Sequence, residues 1–93
     1  MGLSPSYSVR VELLGVPRAR AGVAETMAEG SQLGEVLADL ARRFPKLAET
    51  CFSHGRLQAG YLASVNGSRF VRDPGTPLRP GDIVLILSAD AGG

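Results

Sequence analysis

Between Leu33 and Phe44 the apolar residues Leu33, Val36, Leu37, Leu40, Ala41 and Phe44 recur at about the 3.6-residue period of one helix face. Pro45 closes the run, because it has no N–H to donate and disfavours helical geometry at the residue before it. Ser31 is the expected N-cap, and Glu35, Asp39, Arg42 and Arg43 are expected to face water. On both sides of this stripe the period is that of strands. From Tyr7 to Leu14, Val9, Val11 and Leu13 alternate with Arg10 and Glu12. Gly15, Pro17 and Gly22 punctuate a connection, and Val23 to Glu29 returns as a second strand in an antiparallel hairpin.

The segment from Lys46 to Gln58 is weaker, a loop with a turn of helix in which Leu47, Cys51 and Phe52 share a face. Tyr61 to Val65 alternates again, Asn66-Gly67 is a tight-turn dipeptide, and Arg69 to Arg72 forms a short returning strand. After the turn clusters Asp73-Pro74-Gly75 and Arg79-Pro80-Gly81-Asp82 comes Ile83-Val84-Leu85-Ile86-Leu87, an apolar run without alternation. Such a run belongs to a central strand covered on both faces or carrying an adhesive outer face. With the first and last strands central and the helix as crossover, the expected fold is α+β: a β-grasp, ubiquitin-like, with a mixed four- to five-stranded sheet and one main helix on one face. The 93 residues suffice for one domain, 1–93, with an N-terminal extension at 1–6 and a flexible tail at 88–93.

Composition removes several functions. Ten Lys plus Arg against nine Asp plus Glu are scattered along the chain, and aromatics make up 5%, so no basic and aromatic surface for nucleic acid is expected. No apolar run approaches the ~20 residues of a membrane helix, and Met1 to Arg10 lacks a secretory apolar stretch, so a cytoplasmic protein without a membrane partner is expected. Cys51 is the single cysteine, and the acids stand at no ligand spacing, so no metal site is expected. Cys51 and His54 could share a helix face, but a thiolate–imidazole pair needs an orienting third group, and a lone cysteine commonly serves as a small buried hydrophobe. The glycines miss both phosphate-loop spacings, so any nucleotide would be held by another protein.

What remains is the end of the sequence. Leu78-Arg79-Pro80-Gly81-Asp82, the strand to Leu87 and Ala91-Gly92-Gly93 resemble the ubiquitin-like sulfur carriers of the MoaD and ThiS family, from about Val9 to Gly93. The resemblance implies a carrier and not an enzyme in its own right. Gly93 would be adenylated by a ubiquitin-activating-like partner enzyme, which supplies ATP and Mg, and converted to a thiocarboxylate; this chain would bind no cofactor itself. Ala91 and Gly92 would form the slim neck of a tail entering the partner's active site, because glycine lacks a Cβ.

The resemblance also implies a sulfur-accepting synthase. Ile86-Leu87-x-Ala89-x-Ala91-Gly92-Gly93 looks like the cysteine-synthase-type carriers called CysO, whereas molybdopterin-type carriers usually have aromatics, prolines and a valine there. Thus a cysteine synthase and a molybdopterin synthase large subunit are both candidate acceptors for cysteine, cofactor or natural-product sulfuration. A modifier conjugated through Gly93 is the alternative of another class. Docking is expected on the exposed sheet face, with Leu14, Leu62, Ile86 and Leu87 as candidates and Arg10, Arg69 or Arg72 as rim charges; Leu62 and one of Ile86 or Leu87 could equally be core.

Overall fold

A computed structural model describes residues 8–89. The N-terminal extension, Tyr7, Asp90 and the neck and carrier positions Ala91, Gly92 and Gly93 lie outside the described residues. In chain order the elements are β1 (Ser8–Leu13), α1 (Val16–Ala21), β2 (Glu25–Glu29), α2 (Leu33–Arg43), α3 (Pro45–Cys51), β3 (Phe52–Ser53), β4 (Arg56–Leu57), β5 (Tyr61–Val65), β6 (Arg69–Val71) and β7 (Ile83–Ser88). Five strands form one mixed sheet in the order β2-β1-β7-β5-β6, with β1 and β7 parallel and the other neighbours antiparallel; β3 and β4 form a separate small hairpin. This is the expected β-grasp, with β7 at its centre and α2 packed on one face.

The core lies between that face and the helices. Val9, Val11 and Leu13 of β1, Val84 and Ile86 of β7, and Ala63 and Val65 of β5 meet Leu33, Val36, Leu37 and Leu40 of α2. Burying each of the larger aliphatic side chains stabilises the fold by about 1.5–3 kcal/mol. The N-cap of α2 is Gln32, not Ser31, and no side chain caps the helix. Its free N–H groups have backbone partners instead: Leu33 N–H donates to Thr76 O (2.9 Å) and Gly34 N–H to Pro74 O (2.8 Å), while Ser31 donates through its N–H and hydroxyl to Glu35.

One segment expected as a plain connection is helical, and the turn of helix expected after Lys46 is a seven-residue helix. The Gly15–Gly22 connection contains α1: Pro17 sits in the first turn, where its missing N–H costs nothing, and Gly22 ends the helix with φ 81, a left-handed cap that glycine adopts freely. Pro45 ends α2 as expected, but it also starts α3 for the same reason as Pro17. Leu47 and Cys51 are buried on α3, whereas Phe52 is buried from the start of the β3–β4 hairpin. Strand β2 is shorter than expected and starts at Glu25.

Asp39 does not face water. Leu13 N–H donates to Ala24 O, which directs the even-numbered residues of β2 toward β1 and leaves the Met27 carbonyl and Glu29 N–H on the sheet's open edge. Asp39 accepts from Glu29 N–H (3.0 Å), Arg43 donates to Met27 O (2.6 Å), and the two side chains pair at 3.1 Å. Together they occupy positions another strand would use, closing an edge that would otherwise template pairing. Arg43→Ala is expected to lower stability by about 1–2 kcal/mol and to speed amide exchange at Glu29, measured by urea unfolding and by NMR.

Burial opposes ionisation of Asp39, but Glu29 N–H and the Arg43 and Arg42 guanidiniums outweigh it and hold the carboxyl below its usual range. A folded pKa below the unfolded one means stability that is complete above the unfolded carboxylate range and is lost as the pH falls through the folded value. Between about pH 6 and about pH 3 the wild type should therefore lose stability more steeply than Asp39→Asn. Parallel pH profiles would contradict this role.

Candidate functional site

Among the described residues no helix covers the other face of the sheet, and the register says which residues occupy it. Strand β7 pairs Val11 with Val84 and Ala63 with Ile86, both on the buried face, so Ile83, Leu85 and Leu87 lie on the outer one. There they meet Leu62 and Ser64 of β5, and β6 places Phe70 opposite Ser64. Phe70 is 63% and Ile83 37% exposed, Leu62 and Leu85 are half-buried, and Leu87 is nearly covered. Toward β1 and β2 the same face turns polar: Arg10 pairs with Glu12 (3.5 Å) and Glu25 (2.7 Å), and exposed Met27 lies opposite Arg10. Glu12, Ser64, Asn66, Gly67, Ile83 and Leu85 line a shallow concavity across the boundary.

Four expected docking residues thus separate. Leu14, just past β1 and bonded through its N–H to Ile86 O (3.1 Å), is 45% exposed; Leu62 and Leu87 belong to the outer face. Ile86 does not. It is 0% exposed, because its parity within β7 points it at α2, and it is withdrawn as a docking residue. Sequence reasoning missed Phe70, Ile83 and Leu85. Of the expected rim charges, Arg10 holds its place, Arg69 lies opposite Val65 on the other face, and Arg72 is committed to backbone carbonyls.

The family-like turn before β7 has a structural task. Asp82 accepts from Arg79 N–H (2.8 Å) and from the Asn66 side-chain amide (3.0 Å), whose oxygen in turn accepts from Ile83 N–H (2.8 Å). Those two donors hold the Asp82 carboxyl below its usual range. The motif thereby locks the start of β7 to the β5–β6 loop. At the other end of β7, Ala89 N–H donates to Gly60 O (2.7 Å), the last described backbone bond before Asp90.

Cys51 and His54 do not form a pair. Cys51 closes α3 in the core, where burial pushes its thiol up against smaller opposing effects of Tyr61 and Arg20. His54 is exposed in the β3–β4 turn at φ 52. Among the described residues no group of three or more His, Cys, Asp or Glu side chains is placed to hold a metal ion, and no helix is long and apolar enough to cross a membrane.

The ThiS family model matches residues 11–93. The chain belongs to the ThiS family. Among solved structures, CysO of Mycobacterium tuberculosis, described as an antigen, is 30% identical, with 87% of this chain and 98% of that one covered and a TM-score of 0.74. A Pyrococcus furiosus protein assigned as molybdopterin converting factor, subunit 1, is 27% identical over 89% of this chain and 98% of its own, with a TM-score of 0.73. The small archaeal modifier protein 1 of Methanosarcina acetivorans shares the fold at a TM-score of 0.78 and 24% identity, over 97% of this chain and 100% of its own. Comparison with curated proteins returns no match. The family is one of ubiquitin-like sulfur carriers, small carrier proteins rather than catalysts.

Proposed function

We propose that this chain is a sulfur carrier whose Gly93 carboxylate attacks ATP on a partner activating enzyme, releasing pyrophosphate, and whose acyl adenylate is then attacked at its carbonyl carbon by sulfide-level sulfur, forming a C–S bond and expelling AMP to leave a thiocarboxylate. The observation that carries this reading is the family match through residue 93, which takes in Ala91-Gly92-Gly93. A carboxylate is a poor acyl donor until its oxygen departs on a good leaving group, which is what adenylation provides. ATP and Mg belong to the partner. The apolar half of the outer sheet face, with Phe70, Ile83, Leu85, Leu62 and Leu14, is the docking surface for the activating enzyme, and the charged half supplies the rim.

The acceptor is a synthase that takes sulfur from the thiocarboxylate. Likeness to CysO, together with Ile86-Leu87-x-Ala89-x-Ala91-Gly92-Gly93, supports a cysteine-synthase type. The 27% identity to the P. furiosus protein supports the other reading within the family, the small subunit of a molybdopterin synthase.

Intact mass tests the chemistry. After incubation with a cognate activating enzyme, ATP and a sulfur source, the chain should gain about 16 Da, sulfur replacing oxygen, and a Gly93-deleted control should gain nothing. No gain with activating enzymes competent on their own carriers would overturn the carrier reading, and higher-mass adducts joining Gly93 to lysines would replace it with a modifier.

A further inference from the structure

The sheet is incomplete where the tail leaves it, and one side chain completes it. Strand β6 stops at Val71, opposite Ala63, so no β6 residue pairs with Tyr61 at the start of β5. The register directs Leu62 and Ser64 toward β7 and Tyr61 and Ala63 toward β6: Asn66 N–H bonds Ile83 O and Ala89 N–H bonds Gly60 O, so even-numbered residues of this segment face β7. The Tyr61 carbonyl consequently faces the gap beyond β6. The Arg72 guanidinium fills it, donating to Tyr61 O through Nη1 and to Leu57 O and Gln58 O, each at 3.3 Å, through Nη2.

Two of these carbonyls, those of Gln58 and Tyr61, bound the turn that pairs with Ala89, and the third, that of Leu57, ends β4. Tyr61 N–H donates to Gln58 O (3.1 Å), closing a turn in which Gly60 has φ 93, a left-handed conformation open to glycine. The turn is tied to α3 through Gln58 N–H to Cys51 O (2.8 Å) and to β3 through the Gln58 amide to Phe52 O (2.8 Å). On its β7 side, Gly60 O accepts from Ala89 N–H. One planar fork therefore fixes one edge of a turn whose other edge is the last described anchor of the tail. A lysine could not reproduce it, since an ammonium is a point charge without the guanidinium's fork of donors.

We propose that Arg72 is a positioning residue for the tail: by bracing the Gln58–Tyr61 turn it fixes Ala89, and hence the point and direction from which Gly93 is presented to the activating enzyme. The proposal rests on the carrier reading. Four residues, 90–93, carry the chain from Ala89 to Gly93, a reach of at most about 14 Å when extended, so the position of Ala89 limits what Gly93 reaches. Without the brace the β5–β7 ladder frays from Ala89 back toward the Leu62–Leu87 pair, and the arm starts from a different place. Docking through the outer sheet face is untouched.

The test compares wild type, Arg72→Ala and Arg72→Lys by amide exchange and by carrier-dependent pyrophosphate release on an activating enzyme. Arg72 is exposed and fills no place in the core, and its partners are backbone carbonyls of buried Leu57 and half-buried Gln58 and Tyr61, so both variants should fold, with melting temperatures near the wild type. Exchange at Ala89 and Tyr61 should be at least about tenfold faster in Arg72→Ala, and kcat should fall about tenfold with KM within about twofold, since small misplacements of reacting atoms are costly while docking is unchanged. Arg72→Lys should recover only part of kcat.

Unchanged exchange at Ala89 overturns the proposal, as does faster exchange with unchanged kcat. Full recovery by Lys would show a charge contact with the partner in its place, and a joint loss of KM, kcat and melting temperature would show a merely structural role. If the wild type releases no pyrophosphate with an enzyme competent on its own carrier, the carrier reading fails, and exchange at Ala89 alone decides whether Arg72 anchors the root.

Discussion

Ile86→Asp should leave no folded protein at 25 °C. Ile86 is 0% exposed at the centre of the sheet, between Ala63 of β5 and Leu13 of β1, on the face covered by α2. The substitution forfeits about 1.5–3 kcal/mol of aliphatic burial and places a carboxylate where no donor or cation awaits it, a cost of several kcal/mol more. A small domain holds about 5–15 kcal/mol in all. Ile86→Val, losing one methyl group, should cost only about 0.5–1.5 kcal/mol and remain folded. Far-ultraviolet circular dichroism and thermal unfolding read both. A cooperatively melting Ile86→Asp within a few degrees of the wild type would show that Ile86 is not core, and would restore it to the docking face.

Phe70→Ala should do the opposite. Phe70 is on the outer face at 63% exposed, so truncation removes little packing and should move stability by less than about 0.5 kcal/mol. Aromatic side chains at the centre of an interface carry a disproportionate share of binding energy, and a loss of about 1.4–2.7 kcal/mol would weaken association with the activating enzyme about ten- to a hundredfold. Titration calorimetry against that enzyme, with the melting temperature measured on the same sample, separates the outcomes. Unchanged affinity for Phe70→Ala, and also for Leu85→Asp on the adjoining strand, would remove this face as the docking surface. The docking prediction and the mass test are independent, since a chain can present Gly93 through another surface.

The contrast between these two substitutions marks the boundary between local and tertiary information in this chain. The strand read from Tyr7 to Leu14 and found at Ser8–Leu13, the strand Tyr61–Val65, the helix ending before Pro45, the centrality of Ile83–Leu87 and the family resemblance of its end were legible in the sequence, because alternation, helical period, proline and consecutive apolar residues are local signals. The helices α1 and α3 were obscured by a double meaning: Pro17, Gly22 and Pro45, read as punctuation, are a helix start, a helix cap and both a stop and a start.

Which side of β7 faces out was not legible at all, since five consecutive apolar residues have no parity; pairing of Val84 with Val11 and Ile86 with Ala63 assigned it. Phe70 depended on one residue of loop. A two-residue Asn66-Gly67 turn would pair Val65 with Ser68 and turn Phe70 inward, but Ser68 is extra, Val65 pairs with Arg69, and Phe70 faces out. Asp39 and Arg72 were ordinary charged residues in sequence because their partners lie at Glu29 and Met27, and at Leu57, Gln58 and Tyr61, with no periodicity linking them. Sequence by itself determined the central strands, the main helix and the family resemblance of the last residues; only the tertiary structure decided which residues occupy the outer sheet face and what braces the turn beside Ala89, because both depend on strand register and on contacts between distant segments.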